Sequence, residues 1–191
     1  MDLSEHIWNQ IGKDIDGEGA YDESGTSVSL SSDASGEAIV AIGAPGNDGN
    51  GKDSGHVRIY KNVNGNWGKL GKDIDGDEAG DKSGTSVSLS SDDGSIVAIG
   101  APYNNGIFGN PRWNGRRYEY DRETKIGHVR IYKKVNSNWR QIGKEIDGER
   151  NGDQSGTSVS LSSDGSVVAI GAPKNFNQYY SGHVRLSLIH I

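Results

Sequence analysis

The chain has 191 residues, of which 32% are apolar, 29 are glycine and none is cysteine. The formal charge of −6 provides no basic field for a nucleic-acid backbone, and the absence of cysteine excludes disulfides and thiolate metal sites. The longest apolar run is too short for membrane insertion, and the apolar residues fall in short alternating runs, so an all-β fold of many short strands is predicted.

The chain opens on a strand-like segment, HIWNQ, followed by the acidic loop GKDIDGEG. Neither a basic region nor an apolar leader precedes it, so no signal peptide is predicted in this piece. The next run, TSVSLS, places Val28 and Leu30 on one face of a strand and serines on the other. An apolar strand, VAIGAP, and a third strand, GHVRIYK, follow, and Asn64-Gly65 then turns the chain into a fourth strand, NWGKLG.

This unit occurs three times, in copies that begin near residues 24, 83 and 155. Four antiparallel strands in about 60 residues, repeated with turn signals, are typical of a β-propeller blade, with a β-solenoid as the alternative. Small residues fill the first two strands and suit the propeller axis, whereas Arg, Tyr and Trp in the last two suit the outer rim. We therefore predict one propeller segment over residues 1–186, with about three blades of four antiparallel strands.

The repeat resembles the FG-GAP repeat family, which forms the head of integrin α-subunits. The resemblance lies in GDKSGTSV, VAIGAP and GHVRIY, and it covers nearly the whole chain three times over. One departure is the serine at positions 24, 83 and 155, where the family often has phenylalanine. The resemblance implies a seven-bladed propeller that binds proteins or glycans outside the cell or at its surface.

Both ends of the chain fall inside a repeat, so a partial propeller is predicted. Propellers need about four to eight blades to close. We expect the missing blades to come from the rest of a longer chain or from self-association. The third GHVR strand continues as LSLIHI, which departs from the other repeats, and residues 187–191 are predicted to be a non-native tail.

One insertion, residues 104–126, interrupts the repeat between the second and third strands of the second complete unit. It is rich in aromatic residues and arginine, the types that dominate binding hot spots, and it is predicted to project from one propeller face. The alternative is a hairpin whose aromatic residues cover their own blade. The predicted ligand-binding residues are Phe108, Arg112, Trp113, Arg116, Arg117, Tyr118 and Tyr120.

The resemblance also raises the question of calcium, which integrin-type blades hold in a loop between their first two strands. Here that loop has shrunk to SSDASGE, SSDDGS or SSDGS, whose one or two carboxylates are too few for Ca²⁺, so no cofactor is predicted. The loop NDGNGKD occurs in one repeat only and contributes Asp48, Asn50 and Asp53 as weak calcium candidates. A solvated loop is the alternative.

Two further groups of polar residues recur with the repeat. The acidic IDG loops are interpreted as links between blades, in which Asp22, Asp81 and Asp153 cap the Ser-Gly turn that follows. The recurring histidines, His56, His128 and His183, lie too far apart for one zinc ion and are interpreted as packing residues, as are Trp8, Trp67 and Trp139.

Catalysis has no clear basis in these residues, because no G-x-S-x-G elbow and no unique Ser, His and acid set occur. We therefore predict a protein that is not an enzyme: a recognition or adhesion module that binds protein or carbohydrate through propeller-face loops. One alternative is a purely architectural segment of a larger extracellular protein. A propeller glycosidase or lyase is the other.

Overall fold

The computed structural model describes residues 9–105, 112–113, 118–119, 125–176 and 181–190, and within these ranges the chain is all-β. The predicted all-β class is therefore confirmed. A helix long and apolar enough to cross a membrane is not found in the described ranges.

The strands form three consecutive antiparallel sheets and one short hairpin. The first sheet contains β1 (Ser27–Ser32), β2 (Ala38–Ala44), β3 (His56–Val63), β4 (Asn66–Lys69) and β5 (Ile74–Asp75). The second contains β6 (Ser86–Leu89), β7 (Ile96–Ala101), β10 (His128–Val135), β11 (Asn138–Gln141) and β12 (Ile146–Asp147), and between β7 and β10 lies the hairpin of β8 (Arg112–Trp113) and β9 (Tyr118–Glu119). The third contains β13 (Ser158–Leu161), β14 (Val167–Ala172) and β15 (His183–Leu188).

The pairing register repeats from sheet to sheet. The first two strands of each sheet form a hairpin, which we call the inner hairpin. Its first residue pair is always a serine opposite a glycine: Ser27 with Gly43, Ser86 with Gly100 and Ser158 with Gly171. The first two sheets contain the four expected strands in their expected order, together with a fifth strand of two residues. This extra strand forms because the IDG loop folds back onto β3 and β10, where Ile74 pairs with Val57 and Ile146 with Val129.

The sheets pack against one another through two apolar clusters. The first cluster joins the first sheet to the second, and the other joins the second to the third. This arrangement explains why the VAIGA strand of the middle sheet, β7, is buried along its whole length, since that sheet lies between two neighbours. The first cluster includes Ile39, Ala41, Val57, Ile59, Val87, Leu89, Val97 and Ile99, and the other includes Ile96, Ala98, Val129, Ile131, Val159, Leu161, Val168 and Ile170.

The inner strands of neighbouring sheets are also joined by hydrogen bonds through serine. Ser27 Oγ donates to Gly84 O over 2.7 Å, and Ser86 Oγ donates to Gly156 O over the same distance. A Cβ atom on Gly43 would lie 2.0 Å from Gly84 O. Glycine is therefore required where the sheets approach most closely.

The strand β15 runs through Leu188, past the start of the predicted non-native tail at residue 187. Ser187 and Leu188 pair with Val168 and Val167, and Ile189 packs against the second apolar cluster. The described part of the tail thus extends the pairing of β15 with β14, whatever its origin.

Candidate functional site

The insertion between β7 and β10 contains part of the predicted ligand-binding set. Its backbone forms a hairpin in which Trp113 pairs with Tyr118, and Arg112 pairs with Glu119. Three of the seven predicted residues are therefore brought to adjacent strands. The other four, Phe108, Arg116, Arg117 and Tyr120, lie outside the described residues.

The base of the insertion is held firmly by the second and third sheets. On one side, Asn104 Nδ2 donates to Asp81 Oδ2 over 3.0 Å, and Gly127 N donates to Asn104 O over 3.0 Å. On the other side, Ser155 N donates to the carbonyl of Ile126, which is fully buried. The hairpin therefore grows from a fixed base, as is usual for recognition loops on β scaffolds.

The same asparagine–aspartate hydrogen bond anchors the corresponding loops of the other two sheets. Asn47 Nδ2 donates to Asp22 Oδ2 over 2.9 Å, and Asn175 Nδ2 donates to Asp153 Oδ2 over 2.8 Å. Each of these aspartates is buried. Three connecting loops are thus fixed in equivalent positions, and within the described residues the one in the second sheet alone forms a hairpin.

The prediction that these aspartates cap the following Ser-Gly turn is wrong. Their carboxylates accept hydrogen bonds from the preceding turn instead, for example from Gly19 N to Asp22 and from Glu78 N to Asp81. The following turn needs no such cap because threonine closes it. Thr85 donates from both its N and its Oγ1 to Lys82 O.

Two of the weak calcium candidates, Asp48 and Asn50, make side-chain hydrogen bonds within the protein. Asp48 Oδ1 accepts a hydrogen bond from Asp53 N over 2.8 Å. Asn50 Nδ2 donates to the carbonyls of Gly76 and Asp77 over 2.8 and 3.0 Å. The loop is therefore held to the neighbouring IDG loop by its own side chains, which favours the structural interpretation.

A cluster that the sequence did not reveal surrounds each of the first two recurring histidines. His56 lies with Glu18 and Asp73, and one donor atom from each residue lies within 4.8 Å of the others. In the second sheet, His128 lies in the same way with Asp77 and Glu145. The predicted separation of the histidines is consistent with this arrangement, since each has carboxylate neighbours of its own.

An arginine two residues after each histidine pairs with one of the two carboxylates of its cluster. Arg58 lies 3.3 Å from Glu18 and donates to Asp16 O, and Arg130 lies 2.6 Å from Asp77. These guanidinium groups link the strand to the IDG loop at the preceding junction. Their positive charge offsets the negative charge of Glu18 and Asp77.

Burial determines the protonation of these histidines. His128 is 1% exposed, and burial lowers its pKa to about 4, with Arg130 acting in the same direction and Asp77 opposing it. Burial also lowers the pKa of His56. His128 Nδ1 lies 3.7 Å from Glu145 Oε2, and the Nε2 atoms of both histidines lack a hydrogen-bond partner within the described residues.

One imidazole and two carboxylates can bind a divalent transition metal. Here, however, Arg58 and Arg130 already neutralise one carboxylate of each cluster, and Lys69 pairs with Asp73. We therefore interpret the clusters as ion-pair networks between neighbouring sheets. The signal that could have revealed them is the shared period of histidine, arginine and the IDG loop.

The predicted tryptophan anchors behave in a similar way. Trp139 Nε1 donates to Leu70 O over 2.8 Å, and Trp67 Nε1 donates to Ile11 O over 2.9 Å. Each of these tryptophans is thus tied to the segment that precedes its sheet. Trp8 lies outside the described residues.

Comparison with known proteins finds neither a family model that matches the chain nor a curated protein that matches it significantly.

Proposed function

We propose that the chain is a non-catalytic recognition module whose sheets are β-propeller blades and whose inserted hairpin binds a protein or carbohydrate ligand. The observation that carries the proposal is the hairpin of β8 and β9, which places Trp113 opposite Tyr118 next to Arg112. Aromatic residues and arginine provide much of the binding energy at protein interfaces. The FG-GAP resemblance supports the same function and a location outside the cell.

The anchoring of the loops supports the proposal further. A ligand loop binds best when its base is already ordered, because little conformational entropy is then lost on binding. Asn104 and Ile126, at the two ends of the insertion, are both hydrogen-bonded to neighbouring segments of the second and third sheets. The equivalent loops of the first and third sheets have the same asparagine–aspartate anchor but are shorter, so they serve as controls for the insertion.

The first prediction is that replacing Trp113, Arg116 and Arg117 together by Ala abolishes ligand capture and leaves the melting temperature unchanged. The measurement is binding to a printed glycan array and to immobilised extracellular matrix proteins. The matched control is Asp48→Ala with Lys52→Ala, in the equivalent loop of the first sheet, which should bind as the wild type does. Unchanged capture by the triple variant would exclude the hairpin as the site.

If the wild-type protein captures neither class of ligand, the architectural alternative is favoured, in which the sheets only space other domains. Hydrolysis or lyase activity on a polysaccharide panel would instead favour the enzyme alternative.

A further inference from the structure

Each sheet has two faces that differ in role. The leading face is the one that packs on the preceding sheet at an internal junction, and the trailing face is the one that packs on the following sheet. At the first junction the trailing face contributes Val57 and Ile59, and the leading face of the second sheet contributes Val87 and Leu89. The second junction repeats this pattern with the equivalent residues.

Two of these faces are uncovered in the described structure. Leu30, on the leading face of the first sheet, is 69% exposed, whereas the equivalent Leu89 is 5% exposed. Leu186, on the trailing face of the third sheet, is 71% exposed, whereas the equivalent Ile59 is 2% exposed. Both faces thus present apolar residues of the kind that the internal junctions bury.

The polar groups of the two faces also match. At the internal junctions, Leu89 N donates to Ser29 Oγ, and Leu161 N donates to Ser88 Oγ, each over 2.9 Å. The equivalent acceptor on the third sheet is Ser160 Oγ, which has no such partner within the described residues. The equivalent donor on the first sheet is the backbone N–H of Leu30.

A groove on the trailing face of the third sheet lies where, at the internal junctions, a glycine turn of the following sheet packs. Gly171, His183 and Val184 line it. At the first junction the equivalent residues, Gly43, His56 and Val57, lie against Gly84. The residue of the first sheet that corresponds to Gly84 is Gly25.

Gly25 presents the backbone conformation that the groove requires. Its φ is +92°, close to the +86° of Gly84 and Gly156, the two glycines that fill the internal junctions. No atom lies within 4 Å of the position that its Cβ would occupy. The turn at Gly25 is therefore open to a partner.

The N-terminal segment corresponds in the repeat to the strand that follows the third strand of each sheet. Residues 9–18 occupy the position at the first sheet that residues 68–77 occupy at the second. Ile11 O and Asp16 O accept hydrogen bonds from Trp67 and Arg58, as Leu70 O and Asp75 O do from the second sheet. The third sheet has only three strands in the described residues.

We propose that this chain associates head to tail, the leading face of the first sheet of one copy docking on the trailing face of the third sheet of a second copy. The junction continues the two internal ones residue by residue. Gly25 of one copy lies against Gly171 of the other, and Asp14 lies beside His183 as Asp73 lies beside His56.

Two copies contain six sheets, which is within the range of closed propellers. A head-to-tail contact closes into a ring or grows into a filament according to its rotation.

The experiment compares Leu30→Glu, Leu186→Glu and the wild type by sedimentation velocity over a wide range of concentration. The wild type should contain two or more chains. Each variant should be monomeric, because a carboxylate buried against an apolar face raises the dissociation constant by at least ~10-fold. Val63→Glu is the matched control, since Val63 is a 44% exposed strand residue away from both uncovered faces, and it should associate as the wild type does.

Mixing the two variants gives the decisive result. Each retains one intact face, and the two intact faces are complementary, so the mixture should form a one-to-one dimer that grows no further. A wild type that stays monomeric, variants that associate like the wild type, or a mixture without a dimer would each overturn the proposal. If either variant fails to fold, Val28→Glu and Val184→Glu on the same two faces replace the pair.

Discussion

At the scale of single residues, His128 combines deep burial with neighbours of both charges. Arg130, Asp77 and Glu145 all lie close to its imidazole. Burial lowers the pKa of the folded state to about 4, below the value of 6.5 expected in the unfolded chain. Between these two values the unfolded state binds more protons than the folded state does. The free energy of unfolding therefore falls as the pH is lowered through this window.

The second prediction is that His128→Gln removes this part of the acid sensitivity. From pH 7 to pH 4 the wild type should lose about 3 kcal/mol of unfolding free energy more than the variant does. Urea unfolding of both proteins at several pH values, in the Leu30→Glu background that keeps the protein monomeric, measures the difference. His183→Gln, at the equivalent but only partly buried position, is the control and should follow the wild type. Parallel pH profiles for the wild type and His128→Gln would contradict the prediction.

The sequence predicted part of this cluster. The recurrence of His56 and His128 in the GHVR strand predicts a packing role, and both side chains are buried. The carboxylate neighbours were not identified, because Glu18 lies far from His56 in sequence and reaches it only across a junction between sheets. Periodicity predicts which residues share a face, but it does not predict which loop of the preceding repeat covers that face.

At the scale of secondary-structure elements, the spacing between sheets depends on glycine in the second strand of each inner hairpin. A Cβ atom on Gly100 would lie 2.0 Å from Gly156 O, an atom of the neighbouring backbone. A Cβ atom on Gly171 would meet Ser158 Oγ at 2.3 Å, a side-chain atom that can rotate away. The same substitution thus has different consequences at the two positions.

The third prediction is that Gly100→Ala lowers the free energy of unfolding by about 3 kcal/mol, whereas Gly171→Ala lowers it by less than about 1 kcal/mol. Urea unfolding measures both, in a Leu30→Glu background that keeps the protein monomeric. Equal losses for the two variants would show that the close approach of the sheets does not determine the cost.

The fourth prediction concerns the loop that contains Asp48, Asn50 and Asp53. Because these residues make hydrogen bonds within the loop and to the adjacent IDG loop, adding EDTA should leave the melting temperature unchanged. Differential scanning fluorimetry with added CaCl₂ and with EDTA measures the effect. A rise in melting temperature on adding calcium that Asp48→Ala abolishes would instead assign a calcium site to the loop.

The elements themselves were largely predictable. Alternation in TSVSLS and GHVRIYK, and the turns at Asn64-Gly65 and Asp93-Gly94, correctly placed four strands in each of the first two units and three in the third. The strand at Ile74–Asp75 was interpreted as a loop, because its two residues are too few for a periodic signal and pair only after β3 has formed. The backbone pairing of β8 with β9 shows that the insertion contains a hairpin.

At the scale of the whole molecule, the middle sheet differs from its two neighbours because it is covered on both faces. Every residue of β7 is buried, whereas β1 and β15 contain no fully buried residue. In stacked repeats, stability is the sum of the repeats and the interfaces between them, so the units at the ends open first.

The fifth prediction follows from this difference and is made for the monomeric Leu186→Glu variant. Amide hydrogen exchange should be slowest in β7 and β10 and fastest in β1 and β15. In the wild type at high concentration, β1 and β15 should gain protection while β7 stays unchanged, because head-to-tail docking covers only the two end faces. Exchange that slows equally in all three sheets would indicate a general stabilisation instead. Protection gained by β1 and β15 together would show that the two uncovered faces act as one interface.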